Sequence, residues 1–197
     1  MRTKNIVSLG AIALVFAAGT ATAHFKLLSP ASWIEEDDRG DPQKMAPCGG
    51  TLADGGTRTG AVTDVIGGQS LAIELNETIY HPGHYRIALA RRMNFLPPDP
   101  VATMKDTENG PRSASGEIQE NPEPPVLVDG LWVHNERFTG LRETEIEIPN
   151  IDCENCFLQV IQFMEEHPGF REGGFSYHHC AVLNITADPE LPIDERW

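Results

Sequence analysis

Apolar and polar positions alternate in short runs along much of the chain, which is the period of a β-strand with one buried face. Leu71, Ile73 and Leu75 alternate with Ala72, Glu74 and Asn76, and Ile146 and Ile148 alternate with Glu145 and Glu147. Phe25 to Leu28 is a short strand ended by Pro30, and another starts at the turn His81-Pro82-Gly83-His84 and runs through Ala90. Val126 to Val133, Phe157 to Phe163 and Ala181 to Thr186 complete the set, while residues 160–167 are the nearest thing to a helix. Seven or so short strands with glycine and proline turns predict an all-β fold. Its architecture is expected to be an immunoglobulin/fibronectin-like antiparallel β-sandwich with long loops, whose function sits in loops gathered at one end.

Three stretches break the alternation. Glu35 to Pro47 carries acidic residues among turn formers and reads as a solvated loop; Trp33 beside it either faces substrate or packs on the domain. The glycine-rich passage from Cys48 to Gly68 lacks the lysine and spacing of a phosphate-binding loop, so tight turns explain it. Residues 94–125 have almost no periodicity and are too many for an ordinary connection, which predicts a functional or partly disordered excursion.

The amino terminus reads as an export signal over residues 1–23. Arg2 and Lys4 precede an apolar run from Ile6 to Ala18, and Ala21-Thr22-Ala23 is a small-x-small cleavage site. The apolar run is too short for a convincing membrane span, so no stable membrane anchor is expected. Residues 24–197 then form one domain, secreted or periplasmic and monomeric. The formal charge is −14, and removing Arg2 and Lys4 with the leader makes it −16. That balance excludes nucleic acid as partner and is compatible with a neutral polymer or a metal ion.

Cleavage after Ala23 would leave a histidine first, and a terminal His24 offers an amine and an imidazole on one residue. The amine, with a reference pKa of about 8, loses its proton more readily than a lysine amine. Copper favours nitrogen donors in a plane, so the amine, the His24 ring and one more imidazole would satisfy it. His81 and His84 lie in a turn leading into a strand, which would hold either rigidly. In Tyr177-His178-His179-Cys180, alternation puts Tyr177 and His179 on one face. Four cysteines in an exported chain imply two disulfides, with three pairings open, and Cys153 and Cys156 are close enough to bridge locally.

Together these places resemble the lytic polysaccharide monooxygenases and related copper proteins built on a histidine brace, the bacterial monooxygenase-like, chitin-binding branch included. The resemblance rests on His24-Phe25-x-Leu27, Cys48-Gly49-Gly50, His81-Pro82-Gly83 and Tyr177-x-x-Cys180. It implies copper held by His24 and His81, with His84 as competitor. It also implies Tyr177 at the axial face, and His179 or a glutamine, Gln162 or Gln159, positioning the oxygen species. By the same likeness Cys48 pairs with Cys180, leaving Cys153 with Cys156. The implied activity is copper-dependent oxidation of glycosidic bonds in a chitin- or cellulose-like polysaccharide, with an electron donor as second partner. Two rival expectations are a periplasmic copper-binding or delivery protein using Met45, Met93, Met104 and Met164, and a carbohydrate-binding module without redox activity.

Overall fold

Two sheets meet face to face over one apolar core. The computed structural model describes residues 23–170 and 174–197; the proposed export signal, apart from Ala23, lies outside them. Ten strands are formed among the described residues: β1 (His24–Ser29), β2 (Thr63–Ile66), β3 (Ser70–Ile79), β4 (Gly83–Ala90), β5 (Ala102–Thr107), β6 (Gly110–Gly116), β7 (Val126–His134), β8 (Arg142–Glu147), β9 (Cys153–Met164) and β10 (Ser176–Thr186). One sheet has the order β1-β3-β8, the other β2-β10-β9-β4-β7, and β5-β6 is a separate hairpin. All pairings are antiparallel except β10 with β2. The architecture is all-β and sandwich-like.

Alternation explains which side chains meet between the sheets. Phe25 and Leu27 of β1 and Ile73 and Leu75 of β3 face Tyr85, Ile87 and Leu89 of β4, Leu158 and Val160 of β9, and Ala181 and Leu183 of β10, all buried in one cluster. Ala23, preceding the first strand, is also fully buried in that core. Burial of this kind stabilises by roughly 25 cal/mol per Å² of apolar surface. A smaller cluster on the outer side of the larger sheet gathers Trp33, Ile34, Ala88, Leu96 and the cystine of Cys48 and Cys180. Trp33 therefore packs on the domain, its ring edge-on to Phe157 and its Nε1 donating to the Cys48 carbonyl at 2.8 Å.

Three readings of the chain are revised. Residues 160–167 are not helical: β9 runs to Met164, paired on both sides by β4 and β10, and a central strand satisfies its backbone without a helix. The excursion over 94–125 contains a short 3₁₀ turn, Met93–Phe95, and the β5-β6 hairpin, which is polar on both faces and so carries no apolar alternation. Ser113 fastens the hairpin, its Oγ donating to the Met164 carbonyl at 2.7 Å and its N–H to the His167 carbonyl at 3.0 Å. The acidic loop exposes Glu35, Asp37 and Asp38 as expected, yet it turns Gly40 and Gln43 inward beneath β1. Gly40 has φ of 104°, and a Cβ there would collide with the Phe25 carbonyl, so only glycine lets loop and strand approach so closely.

Candidate functional site

Strand register brings His24 to the His81 turn. His24 sits opposite Ile79 in the β1-β3 ladder, and His81 follows Ile79 by two residues. Gly83 opens β4 at φ 151° against the Phe163 carbonyl, where a Cβ would clash, so the His-Pro-Gly turn can lie flat on β9. A chain of ring contacts links the two histidines. His24 lies 5.1 Å from Tyr177, Tyr177 lies 5.2 Å from Phe170, Phe170 lies 5.4 Å from His167, and His167 lies 5.3 Å from His81, centroid to centroid.

Each of the two histidines has one ring nitrogen engaged and the other left over. His24 Nε2 is 2.9 Å from Asp41 Oδ2, so that nitrogen carries the proton, and Nδ1 is buried with no hydrogen-bond partner. Asp41 is held below the usual carboxylate range, chiefly by the His24 hydrogen bond. His81 Nδ1 donates to the Pro82 carbonyl at 3.3 Å, which leaves the Nε2 lone pair unclaimed. Burial pushes the His81 pKa down and keeps the ring neutral, the form in which imidazole binds metals.

A polar row runs across the inner face of the larger sheet beside these rings. Tyr177, Gln162 and Tyr85 are direct cross-strand partners on β10, β9 and β4. The row meets the smaller sheet residue for residue: Tyr177 packs on His24, Tyr85 packs edge-on to Phe25 at 5.4 Å, and Gln162 donates to Glu77 Oε1 at 3.0 Å. Glu77 also accepts from His134 Nε2 and Arg142, each at 2.9 Å, and from the His81 backbone N–H at 3.3 Å. Burial alone would raise the Glu77 pKa, but the hydrogen bonds from His134 and Arg142 outweigh it and bring the pKa below normal. Gln162 Oε1 and Tyr85 Oη are buried without partners.

The other predicted residues fall elsewhere. Gln159 is on the outer face, donating to the Pro47 carbonyl at 2.9 Å. His84, also outer, stacks on Phe163 at 5.3 Å and lies 3.8 Å from Asp129. His179 shares the inner face with Tyr177 but sits behind β1, with Nε2 3.0 Å from the Phe25 carbonyl and its ring edge-on to Phe25. Its Nδ1 lies 3.1 Å from Glu36 Oε1 without hydrogen-bond alignment. Burial pushes His179 down to about 3 and Glu36 up to about 7, so both are neutral near pH 6. The cysteines are joined as Cys48 with Cys180 and Cys153 with Cys156. Met104 is exposed on the hairpin and Met164 is buried in the core.

Glu77, His167, Asp41 and Tyr85 entered the site unannounced. For His167 the signal was present, because His167-Pro168-Gly169 repeats the triplet His81-Pro82-Gly83. For Glu77 none was, since it occupies a polar position of an alternating strand whose neighbours are set by tertiary pairing.

Among the described residues no group of three or more His, Cys, Asp or Glu side chains is arranged to hold a metal ion. A histidine brace takes two side chains and an amine, and in the full-length chain the His24 nitrogen is a peptide nitrogen. The donors that arrangement needs are at hand: the imidazoles of His24 and His81, the first with a partnerless buried nitrogen, and the amine that cleavage before His24 would create. Comparison with protein-family models gives no match, and comparison with curated proteins gives none either.

Proposed function

We propose that the chain is an exported copper-dependent monooxygenase that oxidises glycosidic bonds in a chitin- or cellulose-like polysaccharide, on an immunoglobulin/fibronectin-like sandwich. The observation that carries this reading is the nitrogen accounting at the two histidines. His24 Nδ1 is the ring atom that closes a six-membered chelate with its own residue's amine, and it is the nitrogen left without a partner. His81 Nε2, freed by the hydrogen bond at Nδ1, is the third donor. Hydrogen bonding of the opposite ring nitrogen is how proteins fix the tautomer and aim of a ligating histidine.

Copper held there would supply oxygen activation and hydrogen abstraction beside the glycosidic bond, with electrons from an external donor. The chain's own residues do the rest. Asp41 keeps the His24 ring turned with Nδ1 inward. Tyr177 covers the ring of His24 and excludes water from that side. Gln162, fixed through Nε2 by Glu77, keeps Oε1 available to accept a proton-bearing group of the oxidant. His179 holds the Phe25 carbonyl, and so the strand that carries His24. Secretion, a monomeric state and the absence of a membrane anchor belong to the same proposal; among the described residues no helix is long and apolar enough to cross a membrane.

The test is incubation of protein beginning at His24 with chitin and with cellulose, copper and a reductant. Release of oxidised oligosaccharides is expected. Copper-loaded protein that yields no oxidised product from any polysaccharide overturns the activity, and protein that fails to bind copper overturns the site.

A further inference from the structure

At the far end of β4 from the His81 turn, about 25 Å away along an eight-residue strand, lies a cavity of about 640 Å³. Its floor is Leu89 and Ile151, both essentially inaccessible, and its rim carries Phe95, Trp197, Arg91, Arg92 and Arg196. In a chain with 29 Asp and Glu against 15 Lys and Arg, every ionisable side chain lining this cavity is an arginine. Local inversion of the overall charge is a recognition feature, because it focuses one sign of potential into a low-dielectric recess.

The three arginines are not equivalent. Arg196 is neutralised by a two-point contact with Asp194, and Arg91 donates to the Asp152 carbonyl at 2.8 Å, with no ion pair among the described residues. Arg92 is exposed, and its side chain has no ion pair or hydrogen bond among the described residues. Arg91 and Arg92, both lining the cavity over its apolar floor, have no carboxylate partner among the described residues. Guanidinium forks match the planar, two-oxygen geometry of a carboxylate. The exposed Phe95 ring, at 61% accessibility, and the half-buried Trp197 indole supply flat apolar contact. The volume falls within the range of small-molecule sites, about 300–1,000 Å³, and holds more than a single ring.

We propose that this cavity binds a carboxylate carried on a flat aromatic body of two fused rings or similar size, the carboxylate on Arg91 and Arg92 and the rings against Phe95 and Trp197. This site is independent of the copper reading and shares no residue with it.

The experiment is calorimetric titration of the processed protein with 2-naphthoate and with its neutral analogue 2-naphthalenemethanol. The proteins compared are the wild type, Arg91→Gln/Arg92→Gln and His24→Ala. Both arginines are exposed, and circular dichroism checks that the double variant is folded. One naphthoate per chain is expected, with the alcohol weaker by about tenfold or more, the difference shrinking at high salt. The double variant loses that preference, and His24→Ala keeps it. No binding at millimolar naphthoate, equal binding of acid and alcohol, or an unchanged preference in the double variant each overturns the proposal. Loss of naphthoate binding in His24→Ala overturns it as well, by moving the ligand to the other end of the sandwich.

Discussion

Gln162 donates to Glu77 across the space between the two sheets, an amide of β9 meeting a carboxylate of β3 at 3.0 Å. Glu77 is thereby the point at which β3, β7, β8 and β9 are joined by side-chain hydrogen bonds, through His134, Arg142 and Gln162. A buried carboxylate with a guanidinium partner is costly to break from one side, because the partner stays buried. Glu77→Ala is expected to destabilise the fold by about 3–5 kcal/mol, with Gln162→Leu costing less because it removes a neutral donor. Urea unfolding of the two variants, compared by midpoint at unchanged slope, measures both; a Glu77→Ala cost no larger than that of Gln162→Leu contradicts the hub.

Copper affinity should depend on the residue before His24. Protein starting at His24 is expected to bind one copper at least about 100-fold more tightly than protein retaining Ala23, because a peptide nitrogen does not replace the amine. His24→Ala and His81→Ala should each weaken binding by a similar or larger factor. Titration followed by spectroscopy of the bound ion measures all four proteins. Equal affinity with and without Ala23 would remove the amine from the site.

Glu36 gives the stability a specific pH dependence. Its folded pKa, raised by burial from 4.5 to about 7, exceeds the unfolded one. The folded state therefore holds that proton more tightly; this contribution is complete below pH 4.5 and is lost as pH rises through 7. His179, lowered by burial from 6.5 to about 3, acts in the opposite sense, with stability complete above pH 6.5 and lost as pH falls toward 3. Glu36→Gln is expected to flatten the decline between pH 5 and 8 and to be the more stable protein at pH 8, by on the order of 2 kcal/mol. Thermal unfolding across that range is the measurement, and parallel curves for the two proteins would sink the assignment.

The two disulfides should differ in worth. Cys48 and Cys180 close a loop with a sequence separation of 132, whereas Cys153 and Cys156 are separated by 3. Chain-entropy reasoning gives the first about 3–5 kcal/mol and the second about 2 kcal/mol or less. Replacing each pair by alanine and comparing denaturant midpoints tests the order. Equal losses would show that the long bridge acts through local packing with Trp33 and not through loop closure.

Strands with one buried face were legible because their side chains obey a period of two. β3 and β8 declare themselves through Leu71, Ile73, Leu75 and Ile146. The β5-β6 hairpin was not legible, since neither face enters the main core. Only Asn109-Gly110 marked it, a turn pair suited to tight hairpins, and Gly110 does take a positive φ. At the site, sequence supplied the residues with unusual chemistry and missed those with ordinary chemistry in unusual places. His24 could be named from the cleavage site before it, whereas the turn left His81 and His84 open and only the resemblance favoured His81. Glu77 and Tyr85 gain their roles from register, which composition does not encode. Alternation alone could not choose between Gln162 and Gln159 without a register, and the β9 pairing turns one inward and the other out.

Ala23 occupies a fully buried position in the core next to His24. Cleavage after it would remove a packed methyl group at the same stroke as it creates the amine. The mature protein would begin life with a small vacancy beside its new donor, and deleting a buried methyl costs a folded chain about 1 kcal/mol. Maturation would thus exchange a packing contact for a coordination position, making the unprocessed chain the better-filled sandwich and the processed one the more receptive.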